Sequence, residues 1–166
     1  MTSYRRTRSA ILEGAKSLIA SRGLHRASMV EIADTAEVSR ATLYNHFRDK
    51  SSVMRALLES EVDRILLLAQ GDSLPHEVLA RISIEISTDP ALSMIRTTDP
   101  AMLISILTHV DDPLWVQIRT GLSMVVGEES LVELSRLWLV GQITQPLTAE
   151  ESHIHARAIA SLIRSS

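Results

Sequence analysis

The chain has 166 residues, 45% of them hydrophobic, and a formal net charge of −3 at neutral pH, a size that supports one helical core or two small ones. It contains no cysteine, which excludes thiol redox chemistry and cysteine-bound zinc and fits a cytoplasmic setting. No run of about twenty uncharged apolar residues is present, so no membrane-spanning helix is expected.

The first element is a helix on which Ile11, Ala15 and Leu18 recur at helical spacing, with Gly23 after its end. Arg5, Arg6 and Arg8 precede that stripe and read as an arm able to reach phosphate or a minor groove. Arg5-Arg6 does not read as an export signal, because Glu13 and Lys16 interrupt the apolar stretch such a signal needs. Residues 1–50 hold nine Lys and Arg against five Asp and Glu, or +4, and residues 51–166 hold eight against fifteen, or −7. A basic end on an acidic body points to one end facing a polyanion.

A second helix opens at a capping box, in which Ser28 accepts from the Glu31 amide while the Glu31 carboxylate reaches back to the Ser28 N–H. Ile32 and Ala33 supply its inward stripe, Ala36-Glu37-Val38 form a turn, and Ser39 caps a third helix. At 3.6 residues per turn Leu43 and Phe47 share one face of that helix and must be buried. Ala41 and Asn45 project from the opposite face, with Thr42 and Tyr44 flanking them. Two short helices joined this way, the second with a polar outer face, suit the DNA major groove. Arg40, Ala41, Thr42, Asn45 and His46 are the candidate base readers.

From these residues the chain is identified as a member of a known family: residues 8 to 70 resemble the N-terminal domain of the tetracycline-repressor (TetR) family of bacterial transcription regulators. The match rests on Ile11…Ala15…Leu18, Gly23, Ile32-Ala33, Ala36-Glu37-Val38-Ser39, Thr42-Leu43-Tyr44, His46-Phe47 and Lys50. The resemblance implies that Thr42, Tyr44 and His46 contact DNA and that Lys50 adds a phosphate contact; Ser28 and Ser39 are further candidate DNA-binding residues. Phosphate contacts fix register and base contacts carry sequence. The family has glycine where this chain has Glu37, at a turn position that favours a positive φ, and a non-glycine residue there costs on the order of 1 kcal/mol.

A long helix follows from Lys50, capped by Asp49, with Val53, Leu57, Val62, Ile65 and Leu68 along it and Gly71 as its stop. Pro75 begins a helix carrying Val78, Leu79, Ile82 and Ile86. The pairs Asp89-Pro90, Asp99-Pro100 and Asp112-Pro113 each mark a further start, since Asp caps a helix and proline suits its first position. Leu131, Leu134, Trp138 and Gly141 form a later helix face, and a second capping box, Thr148-x-x-Glu151, precedes Ile154, Ala158, Ile159, Leu162 and Ile163. Strand signals are nearly absent. The expected fold is therefore all-α: a three-helix helix-turn-helix domain over residues 1–50 and a helical effector-binding and dimerisation domain over residues 51–166.

By the same resemblance the last two helices pair with their copies in a homodimer, through Leu131, Leu134, Trp138, Gly141, Ile154, Ala158 and Leu162. It also implies a cavity for a small apolar or amphipathic effector, with candidate lining residues Met94, Met102, Leu103, Ile106, Leu107, His109, Trp115, Ile118, Met124 and Trp138. Methionine adapts to irregular ligands and tryptophan offers a flat surface with one donor. His153 and His155 diverge by about 200° on a helix and cannot share a metal, so no metal or cofactor is expected. An enzyme is not expected either, because no nucleophile with a paired base and no glycine-rich phosphate loop occurs. The leading reading is a ligand-responsive repressor bound to a palindromic operator. The alternative is an effector-independent architectural DNA-binding protein of the same fold.

Overall fold

A computed structural model describes residues 3–70, 73–108 and 112–163, apart from the side chains at positions 105, 106 and 108. The described residues form ten helices: α1 (Ser3–Arg22), α2 (Met29–Thr35), α3 (Arg40–His46), α4 (Lys50–Leu67), α5 (Pro75–Thr88), α6 (Pro90–Thr98), α7 (Pro100–Thr108), α8 (Pro113–Val126), α9 (Glu129–Thr144) and α10 (Ala149–Ala160). No strand occurs among the described residues. Most boundaries have a local chemical cause. Ser28 and Thr148 form full capping boxes with Glu31 and Glu151. Asp49 Oδ1 accepts from the Ser52 amide at 2.8 Å and opens α4, and the Asp112 carboxylate accepts from the Leu114 amide at 2.9 Å and opens α8. Four helices begin on proline, which lacks the N–H that a first turn leaves unsatisfied. Helix α4 stops at Leu67, and Gly71, the expected stop, lies outside the described residues.

The chain divides into two compact units. The first holds residues 1–61 together with 90–102. Its core gathers Ile11, Leu12, Ala15, Leu18 and Ile19 of α1, Ile32 and Ala33 of α2, Leu43 and Phe47 at α3, Val53 and Ala56 of α4, and Ala91 of α6. Helix α6 packs along α1, and the His25 Nε2 to Asp99 Oδ2 contact at 3.1 Å fastens its far end to the α1–α2 loop. Gly14 is required where α1 crosses the end of α2, since a Cβ there would lie 2.9 to 3.1 Å from Ala36 Cβ, N and Cα, and backbone cannot give way as a side-chain tip can. The unit thus joins two stretches of sequence, whereas the division expected from sequence fell at residue 50.

The second unit holds residues 62–89 and 103–166, with α5 packed against α10 and α9, and α8 against α9. Val78, Leu79, Ile82, Leu114, Trp115, Leu122, Val132, Leu139, Ala156 and Ile159 are buried in it. A polar cluster is enclosed among them. Ser83 Oγ donates to Gln142 Oε1 at 2.6 Å and lies 2.7 Å from Ser152 Oγ, and Ser87 Oγ donates to the same Gln142 oxygen at 3.1 Å. Gln142 Nε2 in turn donates to Trp138 O at 3.2 Å, so one amide links α5 and α9 while Ser152 brings in α10.

Candidate nucleic-acid interface

The sequence folds α3 onto α2 because both ends of α3 are chemically specified. Ser39 is extended at φ −67°, ψ 150°, and its hydroxyl accepts from the Thr42 amide at 3.0 Å while lying 2.8 Å from Thr42 Oγ1. Phe47 ends the helix in an extended conformation, and its buried ring, with the buried Leu43, fixes which side of α3 faces inward. The opposite side carries Arg40, Ala41, Tyr44 and Asn45, all exposed, with Thr42 and His46 half-buried at its flanks. Tyr44 is 54% exposed although it is large and aromatic, which leaves its ring and hydroxyl for an outside partner.

The remaining expected contact residues are partly occupied within the unit. The Ser28 hydroxyl donates to Glu31 Oε2 at 2.8 Å and accepts from the Glu31 amide at 3.3 Å, so its first role is the cap. The Ser28 hydroxyl and backbone N–H hold the Glu31 carboxyl below its ordinary value of 4.5, against the opposing effect of desolvation. Lys50 Nζ donates to Leu24 O at 2.7 Å and so ties the start of α4 to the α1–α2 loop, an anchoring role the sequence did not disclose. Two of its three donors remain for a phosphate.

Arg5, Arg6 and Arg8 do not form an arm ahead of the first helix. Helix α1 begins at Ser3 and carries all three within its first two turns. Tyr4 stacks on His46 with ring centroids 4.2 Å apart and planes 29° apart, and the Arg8 guanidinium lies 5.7 Å from the centre of the Phe47 ring. Sequence reasoning missed Tyr4. The signal was present: positions 4, 8, 11, 15 and 18 lie at intervals of three or four, so Tyr4 and Arg8 stand on the same side of α1 as Ile11, two turns and one turn ahead of it.

Glu37 adopts φ 54°, the only positive φ at a non-glycine among the described residues, as its place in the turn required. The turn is closed by the Val38 amide donating to Ala33 O at 3.0 Å. Glu37→Gly is expected to raise stability by about 1 kcal/mol in urea denaturation, since the strain disappears. It should also tighten duplex binding by removing an exposed carboxylate beside α3; unchanged stability would show the turn to be unstrained.

The residues expected to line an effector cavity do not all come together. Met94 and Met102 belong to the first unit, where Met102 packs on its core. Met124 is 77% exposed and lines no enclosed space in the subunit. Leu103 and Trp115 are buried in the second unit, with the Arg136 guanidinium 5.5 Å from the Trp115 ring centre, and Leu107 and Ile118 are half-buried. His109 and the side chain of Ile106 lie outside the described residues. Of the expected dimer contacts, Leu131 is enclosed within the subunit and unavailable to a partner. Leu134, Gly141, Ile154, Ala158 and Leu162 are exposed. Trp138 is half-buried at their edge, where its Nε1 donates to His155 Nδ1 at 3.3 Å.

Comparison with known proteins agrees with this geometry. Residues 11–57 match the family model described as bacterial regulatory proteins, tetR family. The chain is 41% identical over 59 residues to the helix-turn-helix transcriptional activator FasR of Mycolicibacterium smegmatis, covering 36% of this chain and 27% of FasR. It is 28% identical over 136 residues to the helix-turn-helix transcriptional regulator YvkB of Bacillus subtilis, covering 78% of this chain and 72% of YvkB. A solved TetR transcriptional regulator from Rhodococcus sp. RHA1 superimposes with a TM-score of 0.62 at 22% identity over 96% of each chain, a likeness of fold. The aligned segment spans about a quarter to a third of the length of the first curated relatives, 27% of FasR and 31% of the Escherichia coli regulator UidR. The matched segment runs from α1 into α4, so residues 11–57 resemble the DNA-binding segment of the tetR family of bacterial regulatory proteins, and the chain as a whole shares its fold with solved regulators of that family.

Proposed function

We propose that the chain is a cytoplasmic, homodimeric transcription regulator that binds a palindromic DNA operator as a repressor and leaves it when a small apolar or amphipathic effector binds the body. The observation that carries this reading is the outer side of α3. Buried Leu43 and Phe47 lock the helix, and Arg40, Ala41, Tyr44 and Asn45 stand exposed on the side away from the core. In the proposed complex Arg40, Thr42 and Asn45 reach base edges while Tyr44 and Lys50 hold phosphates. Two such helices in a dimer sit about 34–36 Å apart to enter successive major grooves. The domain roles are then DNA recognition in the N-terminal helices and effector binding and dimerisation in the body.

Signal transfer has a covalent path, because α4 starts in the first unit and ends in the second. An effector that favours one arrangement of the body shifts the operator equilibrium by its differential affinity and no more. Leu103, Leu107, Trp115 and Ile118 are the proposed effector-facing residues, and tryptophan fluorescence should report occupancy over the concentrations that release DNA.

Genomic footprinting of the purified protein tests the reading as a whole. Asn45→Ala and Thr42→Ala should change which sequences are protected. Tyr44→Phe should weaken specific and random duplexes alike, by about three- to tenfold. No protected sites at any salt concentration would reject DNA regulation. A reporter that falls when the protein is removed would reject repression in favour of activation, the role carried in the name of FasR.

A further inference from the structure

We propose that Tyr4 positions His46 for a backbone phosphate of duplex DNA, which makes the first turn of α1 part of the binding surface. The proposal rests on the DNA-binding reading and extends it to an element that reading does not use. Tyr4 is 59% exposed, so its stack on His46 is not a by-product of core burial. His46 is the last residue of α3, and its ring would otherwise turn about a broad terminal torsion. Tyr4 covers one ring face at 4.2 Å, and the Phe47 ring stands 6.3 Å away at 36°. Within this arrangement His46 Nδ1 is enclosed and has no hydrogen-bond partner. The proposed phosphate contact is therefore made through the other ring nitrogen, Nε2.

The charges around the pair select the acceptor. Arg5 is exposed beside Tyr4, and Arg8 lies one turn on with its guanidinium 5.7 Å from the Phe47 ring centre. Residues 1–50 together carry a charge of +4. The surface is continuous in structure with α3, since the stacked pair joins α1 to the end of that helix. An anionic strand passing the end of α3 fits this setting, and a phosphate contact there would fix the register in which α3 meets the bases.

The test uses the full chain, a fluorescein-labelled random-sequence duplex and a double-mutant cycle. Tyr4→Ala is expected to weaken binding about three- to tenfold, Tyr4→Phe to bind as the parent does, and Tyr4→Ala to cost nothing further in a His46→Ala background. In the free protein, the His46 ring-proton resonances should move in Tyr4→Ala and stay in Tyr4→Phe, which reports the stack independently of DNA. A loss in Tyr4→Phe equal to that in Tyr4→Ala would mean that the hydroxyl itself does the binding, and would overturn the positioning role. So would a Tyr4→Ala effect of full size in the His46→Ala background. Failure of the parent protein to bind the duplex even at low salt would overturn the DNA-binding reading and this proposal with it. Normal parent binding with an unaffected Tyr4→Ala variant would overturn only the proposal.

Discussion

Leu137→Asp combined with Ala158→Asp is expected to give a folded monomer whose affinity for a two-half-site operator falls by about 10²- to 10⁴-fold, because the half-sites are no longer linked. The outer side of α9 carries Leu134, Leu137 and Gly141, and that of α10 carries Ile154 and Ala158 with Leu162 just past its end, all exposed and spaced at three or four residues. In a subunit alone these side chains face solvent, so the two changes should leave the subunit folded, and the thermal midpoint should fall only by what association supplies and lose its dependence on protein concentration. A two-fold interface would repeat each aspartate, placing four carboxylates in an apolar contact, and burying an unpaired charge is expensive. A Cβ at Gly141 would meet nothing within 4 Å in the subunit, so this side of α9 leaves room for a partner helix to approach closely. Sedimentation velocity and operator titration measure the two effects. A parent protein that sediments as a monomer at micromolar concentration would exclude the dimer.

Gln142→Ala should be the most damaging single change to the body, at about 2–5 kcal/mol in urea denaturation. Its Oε1 receives hydroxyl protons from Ser83 and Ser87, which are 0% and 8% exposed, so truncation strands the Ser87 donor, leaves Ser83 only Ser152 as a partner, and opens a cavity. Ser87 also accepts from the Leu147 amide at 3.1 Å, which couples the segment before α10 to the same cluster. Leucine at position 142 refills the volume without accepting a proton, so it should recover only the cavity part of the loss. Adding Ser83→Ala to Gln142→Leu should recover more, because removing both partners of a buried hydrogen bond costs less than stranding one. A loss below about 1 kcal/mol for Gln142→Ala would show that the cluster is not a cooperative tie among α5, α9 and α10.

Helix starts, and the inward and outward sides of α3, were legible in the order of residues alone. Caps, proline at a first turn and apolar spacing act over about four residues, within the reach of a local reading. Ser28-x-x-Glu31, Thr148-x-x-Glu151 and the Asp-Pro pairs stand where the structure has its starts. The strained turn at Glu37, with its φ of 54°, was expected only from the resemblance, in which glycine stands at that turn position. The long-range pairings emerged only once the helices were packed. Ser83, Gln142 and Ser152 look like surface residues in sequence, yet 59 and 69 positions separate Ser83 from the two partners that satisfy it. Met102 looked like cavity lining until α6 and the start of α7 joined the first unit, and Tyr4 had no assigned role until its ring met His46. Such pairings depend on which faces meet across long stretches of chain, and no spacing rule within one helix encodes that meeting.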